Sequence, residues 1–317
     1  QTMESERSDS LIGIDCGASK ALLQSAKINP KKTIISKGKF YKEYLYSSHP
    51  EWDPNYQPTP LDVQIKENNN KCILIRKAEK KQGDVIVELL QNVIANNSDS
   101  EIGICFPGIK DAYGVTILAN GPRIPKLLNR LENVDTLYND SDCCITGELA
   151  SNIGKMNDIQ NGIYIGGGTG IADGILLNGK IINLNIDENP KKSWELILPH
   201  GPTVESLLSP GGILKSYNLK YKTNITTLTE LSASQYFEET LHNAITAFHY
   251  LIQDRLKFFR RHKQKIEKIV IGQRLGQFLN EQPKNIKNLF QKDNIAPVEF
   301  SFQREIAALG AAWKKSC

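Results

Sequence analysis

Two stretches of the chain follow the same order of residues, and this repetition constrains the fold more than any other feature. In the first, an apolar run at residues 11–14 ends at Asp15 and Gly17 and leads into further strand-like runs. In the second, near residue 163, an apolar run passes through the glycine cluster 166–170 into another. Short apolar runs bounded by glycine are typical of strands and hairpins. Their repetition, with helical segments between, predicts an α/β protein built from two halves with a cleft between them.

Length and composition are those of an ordinary globular protein. The 317 residues are enough for two domains with separate cores. No apolar run approaches the ~20 residues that a membrane span requires. The formal net charge of +4 is small, and the basic residues are scattered along the chain. We therefore expect neither a membrane nor nucleic acid among the partners.

The cysteines favour a reducing, cytoplasmic compartment. None of the six forms a CxxC pair, and the adjacent Cys143 and Cys144 are awkwardly spaced for joint metal ligation. Cys16 and Cys105 lie in apolar strand-like runs, where buried thiols are expected. The polar residues 1–10 contain no apolar signal core, which predicts a disordered leader or a remnant of cloning.

Apolar spacing predicts the main helices. It is helical over residues 83–97, 203–217 and 232–262, and a helix rich in small residues closes the chain from about residue 304. Residues 43–70 differ, because four prolines and a triple asparagine predict a long irregular segment.

The first candidate motif, "DCGASK", ends a predicted strand in a tight turn. The backbone at Gly17 and the hydroxyl of Ser19 can face a phosphate there, with Lys20 alongside. Asp15 is suited to a hydrated Mg²⁺, which prefers oxygen ligands. A plain hairpin turn with a strand-end aspartate explains the same residues.

The second motif, "GGGTG" at residues 166–170, allows the backbone to approach a ligand closely. It is not the GxxxxGK[ST] phosphate loop, because no lysine follows. It also lacks the GxGxxG spacing of a dinucleotide site. A glycine-rich β-turn is the alternative.

The third motif, "LYNDSDCCITGE", places Asn139 and Asp140 where a predicted strand gives way to a helix. A carboxylate at that position can accept a hydroxyl proton while the oxygen attacks phosphorus. Aspartate and serine before an apolar periodic run are also ordinary N-caps. Asp142 fits better as a negative charge in the first helical turn.

Five motifs, in this order, resemble the ROK family of sugar kinases within the actin-like/hexokinase superfamily. They are LIGIDCGASK, GICFPGIKDAYGV, NDSDCCITGE, GGGTGIADGILLNGKI and EIAALGAA. The resemblance implies an α/β fold of two ribonuclease-H-like domains with a ligand cleft between them. It places a smaller N-terminal domain at residues 11–138 plus a C-terminal helix at about 303–317, and a larger domain at residues 139–302.

The resemblance also implies residue roles and cofactors. Asp140 matches the catalytic base, and Asn120, Asn139 and Glu205 match sugar ligands. The residues matching the two phosphate motifs are Asp15, Gly17, Ser19, Lys20, Gly166, Gly167, Gly168, Thr169 and Gly170. The implied cofactors are ATP and Mg²⁺, with the metal held by Asp15 through water.

The chain departs from the family at the zinc motif, a histidine with a CxCGxxGC run. Residues 193–206 contain no cysteine, so we expect no structural zinc. His200 lies near the position of the family histidine. It can reach a sugar hydroxyl or have no role at the site.

Two further departures concern the donor and a possible lid. The resemblance implies a cofactor-binding role for Gly272, which ends a predicted strand. A glycine-rich adenosine turn is expected after it, but Gln273 and Arg274 follow. These side chains narrow the purine pocket, or Arg274 meets a base or a phosphate. Residues 43–70, longer than the family pattern, are either a lid with Trp52 and Tyr56 facing the sugar or a plain surface insertion.

The sequence thus predicts a cytoplasmic kinase that transfers the γ-phosphoryl group of ATP to a hydroxyl of a hexose or N-acetylhexosamine. A homodimer is favoured by the resemblance alone. Two alternatives stay open: a non-catalytic sugar-binding sensor on the same fold, and a sugar kinase that uses another donor such as polyphosphate.

Overall fold

We describe the protein from a computed structural model, in residues 11–291 and 296–317. The predicted leader, residues 1–10, lies outside the described residues. The chain divides into two compact units, one formed by residues up to Ile153 together with Glu305–Cys317 and one formed by Gly154–Arg304. Within the described ranges, no helix is both long and apolar enough to cross a bilayer.

The helices and strands alternate along the chain, as the sequence predicts. In chain order they are β1 (Leu11–Cys16), β2 (Lys20–Ile28), β3 (Ile35–Leu45), α1 (Leu61–Asn69), α2 (Lys77–Ala95), β4 (Glu101–Phe106), β5 (Ile109–Lys110), β6 (Val115–Ile117), β7 (Leu137–Asn139), α3 (Asp140–Ala150), β8 (Gly162–Gly167), β9 (Ile171–Leu177), β10 (Lys180–Ile181), α4 (Val204–Leu208), α5 (Pro210–Tyr221), α6 (Leu228–Ser232), α7 (Phe237–Arg261), β11 (Lys268–Gly272), α8 (Gln273–Asn280), α9 (Lys284–Gln291), β12 (Val298–Phe300) and α10 (Ile306–Ser316).

The first unit is built on a five-stranded sheet in the order β3-β2-β1-β4-β7. Strand β2 is antiparallel to both β1 and β3. Strands β1, β4 and β7 are parallel to one another. Because the carboxyl ends of parallel strands meet at one edge of a sheet, Asp15, Phe106 and Asn139 lie along the same edge.

The closing helix α10 packs closely against α3 and β1. A Cβ atom at Gly310 would lie 1.8 Å from the carbonyl oxygen of Cys143, and one at Gly13 would lie 1.7 Å from that of Ala308. Glycine therefore permits both contacts. This packing places α3 in the first unit, whereas the predicted boundary after residue 138 assigned it to the second domain, and the first unit is not the smaller of the two.

The second unit repeats the architecture of the first. Its sheet has the order β10-β9-β8-β11-β12, with β9 antiparallel to β8 and β10, and with β8, β11 and β12 parallel. The long amphipathic helix α7 contributes Leu241, Phe248 and Phe259 to the core at 0% exposure. The twofold pattern predicted from the sequence is confirmed in these two sheet orders.

The predicted irregular segment 43–70 is partly helical. It contains a 3-10 turn at Tyr46–Ser48 and the helix α1. Pro58 and Pro60 lie before the first turn of α1, where proline interrupts no helical hydrogen bond. The prolines therefore precede the helix instead of excluding it.

The predicted helix 203–217 is divided into α4 and α5. Pro210 has no N–H group with which to continue α4. Ser209 instead caps α5, because its Oγ accepts a hydrogen bond from the amide of Gly212 at 3.0 Å. The break places the N-terminus of α5 beside the glycine cluster described below.

Candidate active site

The predicted acids of the first unit lie at the same edge of its sheet, where the parallel strands end. Asp15 on β1 is paired with Cys105 on β4, and the next residue, Phe106, is paired with Asn139 at the end of β7. Asp140 follows as the first residue of α3. The fold therefore brings Asp15 and Asp140 within electrostatic reach of each other.

Asn139, and not Asp140, is the N-cap of α3. Its Oδ1 accepts hydrogen bonds from the amides of Ser141 at 2.9 Å and Asp142 at 3.4 Å. Asp140 is half-buried and accepts one hydrogen bond from the Ser141 amide at 2.9 Å. Asp142 is exposed in the first helical turn, as predicted.

The pKa values of both carboxyl groups at this edge are raised. For Asp15, burial is the largest cause and repulsion by Asp140 adds to it, while a hydrogen bond from the Cys105 thiol and the charge of Lys20 lower the pKa, which is about 6. Burial also raises the pKa of Asp140, against the opposite effect of the nearby Lys110. Acidic groups with raised pKa are suited to proton transfer near neutral pH.

Lys110, for which no role was predicted, lies near this edge. Its Nζ donates to the carbonyl oxygens of Phe106 at 2.6 Å and Gly108 at 2.7 Å. Burial lowers the pKa of Lys110, and the charge of Asp140 opposes that shift. The only signal in the sequence was a lysine two residues after the Pro-Gly turn of "CFPGIKD".

The turn after β1 is closed by a hydrogen bond from the amide of Gly17 to the carbonyl oxygen of Lys20, at 2.8 Å. Ser19 is exposed in this turn. The Nζ of Lys20, however, forms an ion pair with Glu43 on β3 at 2.6 Å. A phosphate contact by Lys20 would compete with this pair.

Asp15 suits the predicted Mg²⁺, because a divalent cation would offset the repulsion between Asp15 and Asp140 that raises the Asp15 pKa. A carboxylate at a strand end is also the hard oxygen donor that Mg²⁺ prefers.

In the second unit, the predicted hairpin of β8 and β9 has its tip at residues 168–170. Gly167 is paired with Ile171, and the amide of Gly168 donates to the carbonyl oxygen of Gly170 at 2.9 Å. Thr169 is exposed at the tip. The cluster is therefore a glycine-rich hairpin turn, which leaves its possible phosphate role open.

The first turns of two helices lie next to this tip. A Cβ atom at Gly211 of α5 would lie 3.3 Å from the carbonyl oxygen of Thr169. One at Gly168 would lie 2.9 Å from Oε1 of Gln273, the first residue of α8. Because helix N-termini favour negative charge, the tip has surroundings suited to phosphate groups.

Glu205 on α4 is held against the glycine turn. Its Oε2 accepts a hydrogen bond from the amide of Ile171 at 2.8 Å, and a Cβ atom at Gly170 would lie 2.7 Å from the same oxygen. Burial raises the Glu205 pKa, and the bond from Ile171 lowers it. Glu205 thus supports the turn, and its sugar contact stays a prediction.

The turn after β11, where the sequence predicts an adenosine site, has a backbone conformation that glycine favours. Gln273 has φ of 58°, the left-handed region that glycine favours. Nη2 of Arg274 lies 3.4 Å from Oγ1 of Thr169. At Gly272, a Cβ atom would lie 2.5 Å from the hydroxyl oxygen of Tyr164, so this glycine makes room for a protein side chain. Its cofactor role stays a prediction.

A cleft of about 670 Å³ begins at Gly211 and continues along α5. Lys215 and Lys222 line it, which adds positive charge beyond the glycine turn.

A buried polar network anchors Ser193, at the start of the segment in which the sequence lacks the zinc motif. The carboxylate of Asp173 accepts hydrogen bonds from the amide and hydroxyl of Ser193 at 2.8 and 2.6 Å, and Nη2 of Arg255 lies 3.1 Å from it. His200 is exposed in the turn before α4, and its sugar contact stays a prediction.

The remaining candidates are two aromatic residues, Trp52 and Tyr56, and two cysteines, Cys143 and Cys144. The ring of Trp52 lies 5.4 Å from that of the buried Tyr46, and the hydroxyl of Tyr56 is buried. Both residues are half-buried, and a lid role for them stays a prediction. Cys143 and Cys144 are both buried on α3.

No family model matches the sequence, and no curated protein is similar enough in sequence to match it. Solved structures nevertheless show that the fold is that of the ROK-family proteins, over nearly the whole chain. The predicted α/β fold is thereby confirmed.

Three of these structures illustrate the range of the fold. A ROK-family glucokinase from Streptomyces griseus, in complex with glucose and AMPPNP, has a TM-score of 0.56 and 14% identity, covering 95% of this chain and 97% of that one. An inorganic polyphosphate/ATP-glucomannokinase from Arthrobacter has a TM-score of 0.57 and 16% identity, with coverages of 96% and 98%. A ROK-family transcriptional regulator, a homologue of the E. coli MLC protein, has a TM-score of 0.56 and 14% identity, with coverages of 96% and 77%.

Proposed function

We propose that the protein is a carbohydrate kinase that phosphorylates a hydroxyl group of a hexose or N-acetylhexosamine. The observation that carries this proposal is the placement of Asp15 and Asp140 at one sheet edge, one ending a strand and the other beginning a helix. Two acids so placed can have separate roles, Asp15 in binding the metal and Asp140 in accepting the proton of the sugar hydroxyl.

In the proposed reaction, Asp140 accepts the proton of the sugar hydroxyl. That oxygen forms a bond to the γ-phosphorus in line, while the bond from phosphorus to the leaving oxygen breaks and its electron pair stays on that oxygen. Burial raises the pKa of Asp140, which makes its carboxylate a stronger base than an exposed aspartate.

The sugar is proposed to be held by Asn120, Asn139, Glu205 and His200. Because Oδ1 of Asn139 caps α3, its side-chain NH₂ group is the part that would donate to a sugar hydroxyl. Asn120 is exposed at a loop tip, where its side chain is accessible to a ligand.

ATP with Mg²⁺ is the proposed donor. Gly17, Ser19 and the turn at residues 168–170 would bind its phosphates through backbone amides and hydroxyls, and the cleft along α5 would take its nucleoside. Mg²⁺ bound through water to Asp15 would neutralise charge on the phosphoryl oxygens.

The test is an assay of ADP release with ATP–Mg²⁺ and a panel of hexoses and N-acetylhexosamines. Turnover with at least one sugar is expected. Absence of both turnover and sugar binding, measured by calorimetry, would overturn the proposal. Sugar binding without ATP binding or turnover would instead support the non-catalytic sensor.

Polyphosphate is a second candidate donor, and a specific observation favours it. Gln273 and Arg274 stand where the family has its glycine-rich adenosine turn, and Arg274 contacts Thr169 beside the predicted phosphate site. The same assay with polyphosphate, followed through the phosphorylated sugar, distinguishes the two donors.

The cytoplasmic location and the homodimer belong to the same proposal. Light scattering of the purified protein tests the dimer.

A further inference from the structure

The loop that carries Asn120 has an exposed tip between buried ends. Ala119 and Asn120 are exposed, whereas Leu118 before them is 7% exposed and Arg123 after them is 1% exposed. Both ends are bonded to residues 43–70, the segment that was predicted as a lid or a surface insertion. The second end is also bonded to the start of α2.

The first end is held by Gln64 on α1, whose side chain is fully buried. Its Oε1 accepts a hydrogen bond from the amide of Leu118 at 2.8 Å, and its Nε2 donates to the carbonyl oxygen of Leu118 at 3.0 Å. Nε2 also donates to the carbonyl oxygen of Thr59 at 2.7 Å. Without Gln64, the buried amide and carbonyl groups of Leu118 would lose these partners.

The second end is held by the buried guanidinium of Arg123. Its Nε and Nη2 donate to the two carboxylate oxygens of Glu79 at 2.7 and 2.9 Å. Its Nη1 donates to Glu67 on α1 at 2.6 Å. Such two-pronged charged bonds fix orientation as well as distance.

We infer that α1 acts as a brace that sets the position of Asn120 for sugar binding, with Gln64 and Glu67 as positioning residues. The inference rests on the proposed sugar-binding role of Asn120. A loop that is already ordered loses less conformational freedom when a ligand binds, so bracing favours sugar affinity.

Gln82 offers a matched control for Gln64. It is 1% exposed, and its side-chain amide also pairs both ways with one backbone residue, Asp53, at 3.1 Å in each direction. Substitution of either glutamine by methionine removes the same kind of bond at similar volume. Only Gln64, however, bonds to the loop that carries Asn120.

The decisive experiment compares the sugar KM of Gln64→Met and Gln82→Met. Gln64→Met should raise the sugar KM about tenfold while kcat and the donor KM change little, because buried backbone groups lose their partners. Gln82→Met should leave the sugar KM within about twofold of wild type. An unchanged sugar KM in Gln64→Met, or an equal rise in both variants, would overturn the inference.

A second measurement does not depend on activity. Amide hydrogen exchange at residues 118–123 should be faster in Gln64→Met than in wild type and in Gln82→Met. Equal protection in all three proteins would contradict the brace, whereas a wild type that binds no sugar would contradict the proposed function instead. Should Gln64→Met not fold, Glu67→Gln is a milder variant, and it should raise the sugar KM in the same direction by a smaller factor.

Discussion

The thiol of Cys105 lies 3.4 Å from Oδ1 of Asp15, and the two residues are paired across the parallel strands β1 and β4. The thiol donates a hydrogen bond to the carboxylate, and this bond lowers the Asp15 pKa. Burial and the charge of Asp140 raise it more, so the pKa is about 6. Ionisation of Asp15 therefore opposes folding.

The first prediction is that Asp15→Asn stabilises the ligand-free protein at pH 8. Because the folded-state pKa of about 6 exceeds the ordinary value of 3.8, the folded protein binds more protons than the unfolded one. The stability that Asp15 contributes is present below pH 3.8 and is lost as the pH rises through about 6. With solvent screening of a half-buried group considered, the gain at pH 8 should be roughly 1–2 kcal/mol.

Denaturant unfolding at pH 4 and pH 8, without Mg²⁺ or nucleotide, checks this prediction. The variant and wild type should differ less at pH 4, since Asp15 is then largely protonated. If Asp15→Asn instead lowered the free energy of unfolding at pH 8, burial of Asp15 would not raise its pKa as described.

The second prediction concerns the base. Asp140→Asn should lower kcat by about 10²- to 10⁴-fold, the usual contribution of a general base, with little change in sugar affinity. Asp142→Asn is the matched control, because Asp142 lies in the same helical turn but is exposed, and its kcat should stay within about threefold of wild type. Steady-state kinetics and calorimetry measure both effects, and wild-type turnover in Asp140→Asn would reject the assignment.

The third prediction is that Lys110→Met moves the acidic limb of the kcat–pH profile to higher pH. The charge of Lys110 lowers the pKa of Asp140, so removing it raises that pKa, and the base becomes protonated at a higher pH. Lys126→Met removes an exposed lysine of the same unit and should leave the profile unchanged. A downward shift in Lys110→Met would show that another group controls this limb.

The fourth prediction is that Arg274 contributes to binding of the phosphoryl donor and not to binding of the sugar. Arg274→Ala should raise the donor KM about tenfold, the effect of losing one charged hydrogen bond, and leave the sugar KM unchanged. Arg260→Ala, which removes an exposed arginine of α7, is the control. Measuring the donor KM with ATP and with polyphosphate shows which of the two donors Arg274 binds. Equal donor KM values in Arg274→Ala and wild type would exclude a phosphate contact.

Several elements could be predicted because their signals are local. The strands β1 and β8, the hairpin tip at residues 168–170 and the helix that begins after Asn139 follow from apolar runs, glycine and capping residues near one another in the chain. The helix α1 was missed because prolines and asparagines at its ends dominate the local pattern, whereas its buried Gln64 bonds to Leu118, far away in sequence.

The sequence by itself determined the repeated order of strands and turns, and the candidates Asp15 and Asp140, because each depends on residues adjacent in the chain. Only the tertiary structure decided that these two acids share an edge, that Lys110 lies near them and that α3 packs with α10. Those relationships arise from burial and from pairing between distant strands. Burial shifts the pKa of each titratable group, and the residues that bury it are distant in the chain. A local sequence pattern therefore cannot predict the shift.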